Sequence, residues 1–132
     1  MKNEETSVID SIVPGVLLSI CVVGVAAKDH GYNLSVAKDG RAYTMGNPKS
    51  DNEQRAYVYV TDHNLIAADR VYISVWNTPN HTTGLNYTGD NRITGNSRNL
   101  LDYTINAPQY TSMYLQLRSL VYSAWVSGHW FS

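Results

Sequence analysis

Charge is what this chain has least of. Only 16% of its 132 residues are Asp, Glu, Lys or Arg, against roughly 25% in soluble domains at large. The formal net charge is −1, so no basic surplus exists to track a phosphate backbone or an anionic lipid surface. Nucleic acid is therefore not expected as a partner. Cysteine occurs once, at Cys21, which leaves no intramolecular disulfide to staple a core and no thiolate cluster for a metal. Phenylalanine also occurs once, at Phe131. After Ala27 no apolar stripe recurs at the 3.6-residue period, which argues against a helical bundle. A chain of this length can build one core and not two.

One long uncharged run is present. From Ser11 to Ala27 the sequence reads Ser-Ile-Val-Pro-Gly-Val-Leu-Leu-Ser-Ile-Cys-Val-Val-Gly-Val-Ala-Ala. As a helix it would reach about 25 Å, short of a bilayer core of about 30 Å, and Pro14-Gly15 would break its start. Small residues at Val25-Ala26-Ala27, just before Lys28-Asp29-His30, suit signal-peptidase cleavage after Ala27. Residues 1–27 are thus read as a signal peptide or a membrane anchor, with a buried helix or strand as the third reading. Membrane contact, if any, belongs to this segment. The preceding Met1–Asp10 departs from the usual basic leader, since Lys2 is outweighed by Glu4, Glu5 and Asp10. Leu18-Ser19-Ile20-Cys21 fits a lipoprotein box except at Ile20, where a small residue is required. Removing Lys2, Glu4, Glu5 and Asp10 from 10 basic and 11 acidic side chains leaves nine and eight, a near-neutral body.

Residues 28–132 are patterned for strands. Tyr32–Lys38 alternates and meets Asp39-Gly40, a two-residue hairpin signal, before Arg41–Met45. Ala56–Thr61 places Ala56, Val58 and Val60 on one face and Tyr57 and Tyr59 on the other. Val71–Asn77 repeats the device, with Val71, Ile73 and Val75 opposite Tyr72 and Trp76. The stretch 78–99 is rich in Thr, Asn and Gly, the residues of exposed turns, with one short strand expected at 85–87. Leu100–Ile105, Ser112–Arg118 and Tyr122–Phe131 complete the set. Met113, Leu115 and Leu117 are expected inward, with Trp125 and Trp130 on opposite faces. The expected fold is all-β: an antiparallel two-sheet β-sandwich of seven to eight short strands, with a small barrel as the alternative, preceded by the apolar signal-like helix.

Few groupings carry chemistry. His30, His63, His81 and His129 show no metal-ligand spacing, so neither a metal nor any other cofactor is expected. No Gly-x-Ser-x-Gly elbow occurs, and after cleavage no thiol remains. Asp90 with Asp102 could form a carboxylate pair, but Asp90 sits in a Thr-Gly-Asp-Asn turn that accounts for it. A small hydrolase built on Asp102 and His129 is the enzymatic reading; a non-enzyme is preferred. The aromatic side chains point elsewhere. If the aliphatic faces of the two central strands turn inward, Tyr57, Tyr59, Tyr72 and Trp76 form an opposite face suited to ligand binding. Ordinary cross-strand pairing is the structural reading of the same rings. Three glycosylation sequons, at Asn33, Asn80 and Asn86, are close to chance in so Asn- and Thr-rich a chain.

The closing Tyr122-Ser-Ala-Trp-Val-Ser-Gly-His-Trp-Phe-Ser, after a Tyr/Asn/Thr-rich body and an apolar leader, resembles the small exoproteins of Gram-positive bacteria grouped with lactococcin-like bacteriocins. Ser127-Gly128-His129-Trp130 carries the specific part of the likeness. The resemblance implies a secreted β-sandwich, antimicrobial or associated with the cell envelope, with no catalytic residues to carry over. The expectation is a secreted, non-enzymatic surface-binding protein whose partner is an envelope component or a glycan. The alternative is a carbohydrate-binding module with a Tyr/Trp platform. No feature of the sequence assigns an oligomeric state.

Overall fold

The computed structural model describes residues 28–132. The leader, anchor and N-terminal helix expected within residues 1–27 lie outside the described residues. The rest is all-β and contains no helix. Nine strands form: β1 (His30–Val36), β2 (Arg41–Tyr43), β3 (Asn47–Pro48), β4 (Arg55–His63), β5 (Val71–Trp76), β6 (Asn91–Ile93), β7 (Ser97–Asp102), β8 (Ser112–Ser119) and β9 (Ala124–Phe131). They make two antiparallel sheets. The first runs β1-β9-β4-β7; the second runs β2-β8-β5-β6, with β3 also paired to β8.

The two sheets share one core because the alternation on their strands points inward from both sides. Ala56, Val58 and Val60 of the first sheet and Val71, Ile73 and Val75 of the second are all at most 2% exposed. Met113, Leu115 and Leu117 join them from β8, and Val126 and Trp130 from β9. Trp130 is inward and 1% exposed, while Trp125 faces out. Lys49 is buried too: its ammonium reaches the Asp51 carbonyl at 2.6 Å and carboxylate at 3.3 Å.

The Asp39-Gly40 hairpin does not form. A turn is present, closed by Gly40 N–H to the Ala37 carbonyl at 2.9 Å, but β1 and β2 belong to different sheets. A hairpin turn of the predicted type needs φ > 0 at both central residues. Here Asp39 alone has it, at 58°, so the chain turns a corner instead of folding back on itself. Most other connections behave likewise; only β5 and β6 are neighbours both in sequence and in a sheet. The segment expected as a strand at 85–87 is a single bridge, Trp76 to Asn86. Two strands, β6 and the two-residue β3, arise in stretches too rich in turn residues to show alternation.

A bulge at Thr61 shifts the β4–β9 register between Val60 and Asp62. One strand over, Gly128 faces the core where no side chain fits: a Cβ there would lie 1.9 Å from the Tyr59 carbonyl oxygen and 3.2 Å from the Tyr32 hydroxyl. Tyr32 uses that space to donate a 3.0 Å hydrogen bond to the Tyr59 carbonyl.

Candidate functional site: the outer face of the four-stranded sheet

The four aromatic residues singled out from sequence do not share a face. Tyr57 and Tyr59 stand on the outer surface of the first sheet. Tyr72 and Trp76 stand on the outer surface of the second, across the core. Alternation places each ring correctly relative to its own strand, but it does not say which sheet the strand joins.

The second sheet's outer face is roofed. Trp76 is only 9% exposed, and its indole N–H donates to Ser74 Oγ at 2.7 Å. Ser74 in turn bonds Gln116 Oε1 at 3.3 Å, and Gln116 Nε2 donates to the Tyr43 hydroxyl at 2.8 Å. Ser74 and Gln116 are polar residues on an outward face, yet both are buried. The cover comes from two glycine-bearing segments. At Gly84 a Cβ would lie 3.1 Å from the Trp76 ring, and at Gly46 one would lie 2.5 Å from Tyr114. Tyr72 is half-buried between its cross-strand neighbours Arg92 and Arg118.

The first sheet's outer face is open. Its central row is aromatic: Tyr57 stacks on Phe131 at 4.8 Å and Tyr59 on His129 at 4.5 Å, and Tyr59 lies 6.2 Å from Phe131. These are cross-strand pairs, since Tyr57 is opposite Phe131 and Tyr59 opposite His129 in the β4–β9 register. On the other side Tyr57 faces Leu100, which is 44% exposed, and Tyr59 faces Arg98. Arg98 Nε donates to the Tyr59 hydroxyl at 3.1 Å.

A polar rim surrounds the row. The Tyr57 hydroxyl donates to Glu53 Oε2 at 2.6 Å, and this bond holds the Tyr57 pKa above its ordinary value. Arg55 pairs with Asp102 at 2.6 Å, and His129 Nδ1 meets Asp29 Oδ1 at 2.9 Å. The Asp102 and His129 of the hydrolase reading are thus held by different partners. Two of the other histidines also have structural neighbours: His63 Nδ1 accepts from the Leu65 N–H at 2.9 Å, and His30 tilts against Trp130. Among the described residues no three His, Cys, Asp or Glu side chains are grouped as a metal site.

The chain matches no protein-family model, no curated protein and no solved structure. Its closing motif can still be read physically. Ser127 and His129 lie on the open face, Gly128 is the bare spot over the Tyr59 carbonyl, and Trp130 fills the core.

Sequence reasoning missed Phe131, His129 and Leu100 as members of the open face. The signal was available in part, because β9 and β4 alternate in phase. Their pairing was not, since nearly seventy residues separate them.

Proposed function

We propose that this is an exported, non-enzymatic binding domain of the bacteriocin-like or envelope-associated kind, acting through the outer face of its four-stranded sheet. The contrast between the two outer faces carries the reading. One is closed by its own loops and internal hydrogen bonds, whereas the other leaves Tyr57, Tyr59, Phe131, His129 and Leu100 contiguous and part-exposed. Amphipathic rings with a polar rim suit contact surfaces, because they bury area at small entropic cost and keep hydrogen-bonding edges. The uncharged Ser11–Ala27 run and its Ala-Ala end support export.

Carbohydrate binding at the four aromatic residues first considered finds less support. A sugar stacks on an exposed ring face. Tyr57 and Tyr59 turn theirs toward cross-strand neighbours, and Trp76 is covered.

Co-sedimentation of the protein with isolated bacterial envelopes tests the proposal. Leu100→Arg is expected to weaken binding about tenfold, roughly 1.4 kcal/mol. Leu85→Arg, an equally exposed site in the loop over the second sheet, should leave binding unchanged. Equal binding by wild type and both variants would refute the proposed face.

A further inference from the structure

The same open face has a second, separate feature at the far end of β9. Trp125 is the outward tryptophan, and it alone among the outer-face rings of this sheet has no aromatic neighbour. Its cross-strand partner on β1 is Ser35. On the β4 side, the Thr61 bulge shifts the register, and the chain beyond His63 closes on Trp125 through Asn64. The Trp125 N–H donates to Asn64 Oδ1 at 2.8 Å, and the Asn64 N–H donates to the Trp125 carbonyl at 3.3 Å. Small neighbours therefore stand where the other rings have aromatic ones.

The result is a shallow cleft of about 380 Å³, lined by Ser35, Val36, Ala37, Asn64, Ser123, Ala124 and Trp125. None of these residues is charged. The Asn64 amide is fixed by the bond its oxygen accepts, and among the described hydrogen bonds its Nδ2 donors and the Trp125 indole N–H have no partner. Two serine hydroxyls flank them. Ile66 and Tyr122, two residues and one residue along the chain from this lining, are 58% and 46% exposed.

We infer that the Trp125 cleft is a binding site for an uncharged saccharide. The inference rests on the reading of this face as the contact face, and it names the ligand class. A pyranose offers one apolar C–H face and a rim of neutral hydroxyls. The indole supplies the matching apolar surface, and Asn64, Ser35 and Ser123 supply neutral donors and acceptors around it. A phosphate or carboxylate ligand would find no cation in this lining to offset its desolvation. The outer-face rings of the central row fail this requirement because their faces are occupied; Trp125 meets it because its neighbours are small.

Tryptophan fluorescence reads this site selectively, since Trp76 is 9% and Trp130 1% exposed and both sit away from solvent. The full chain is titrated with neutral hexasaccharides of glucose and of N-acetylglucosamine, each to about 10 mM, tenfold above a Kd of about 1 mM. A saturable shift of emission with at least one of them is expected. Trp125→Ala should abolish it. Asn64→Asp, which keeps the oxygen accepting from Trp125 but replaces the amide donors with a charge, should weaken it about tenfold with the melting temperature unchanged. Leu85→Arg, in the loop over the second sheet, should leave it intact. No saturable change with any saccharide overturns the inference. So does an equal shift on adding neutral phosphatidylcholine vesicles, which would make Trp125, Ile66 and Tyr122 a membrane-insertion patch. Envelope binding that is lost in Leu100→Arg while no sugar binds would remove only the saccharide; envelope binding indifferent to Leu100→Arg would remove the face itself.

Discussion

Two glycines of neighbouring strands show how much a single Cβ decides. Gly31 on β1 faces solvent, with nothing nearer than 4.0 Å to the position a Cβ would take. Gly31→Ala is expected to be neutral or to raise stability by up to about 1 kcal/mol, because it narrows the unfolded ensemble at no steric cost. Gly128→Ala drives a methyl into the Tyr59 carbonyl at 1.9 Å, and the obstacle is backbone in the centre of a sheet. A loss of about 3 kcal/mol or more in denaturant unfolding is expected, as for severe overpacking. At the same scale His30 makes stability depend on pH. Its pKa is lowered, first by burial and then by Lys28, with Asp29 opposing. The unfolded chain therefore takes up this proton at a higher pH than the folded one, so stability falls as pH drops below about 6.5. His30→Gln should flatten that part of the profile when melting temperature is followed between about pH 7.5 and 5.5. Tyr32 works in the opposite range. Burial pushes its phenol pKa up, so its contribution is lost as pH rises past the ordinary tyrosine value of about 10.

At the scale of elements, the strands were more legible than their partners. Ala56–Thr61, Val71–Asn77 and Ser112–Arg118 alternate because each has a face against the core, and that signature does not depend on the rest of the fold. Pairing depends on distant residues, and β9, the most connected strand of the first sheet, joins β1 and β4 across most of the described chain. This is why Tyr57 could be placed on an outer face but not beside Phe131. Trp76 and Trp125 show the same limit. Both occupy outward positions, and only the course of the segment around Gly84 makes one buried and leaves the other part-exposed. The Asp39 turn fails as a hairpin because its left-handed conformation is confined to one residue. Asp39→Gly should raise stability by up to about 1 kcal/mol, whereas Asp39→Val should lower it by about 1–2 kcal/mol, both read from thermal unfolding.

At the scale of the whole molecule, strands adjacent in the sheets are mostly far apart in sequence. Folding must close long loops before its pairings are rewarded, so refolding is expected in milliseconds to seconds, the range of sandwiches with high contact order. A microsecond phase carrying the full amplitude in stopped-flow refolding would contradict this topology. The same alternation between sheets gives the molecule two unlike exteriors. The segments carrying Gly84 and Gly46 cover the outer face of the second sheet, and the outer face of the first keeps its aromatic row part-exposed. A near-neutral body with one open aromatic face has little long-range electrostatic steering, so its association should depend only weakly on ionic strength.

The claim that this open face is the contact surface is tested most directly by hydroxyl-radical footprinting of the protein free and bound to isolated envelopes. Protection is expected at Tyr57, Tyr59, Trp125, His129 and Phe131, with oxidation of Leu85, exposed in the loop over the second sheet, unchanged. Protection at Leu85, with the aromatic row still oxidised in the bound state, would contradict it.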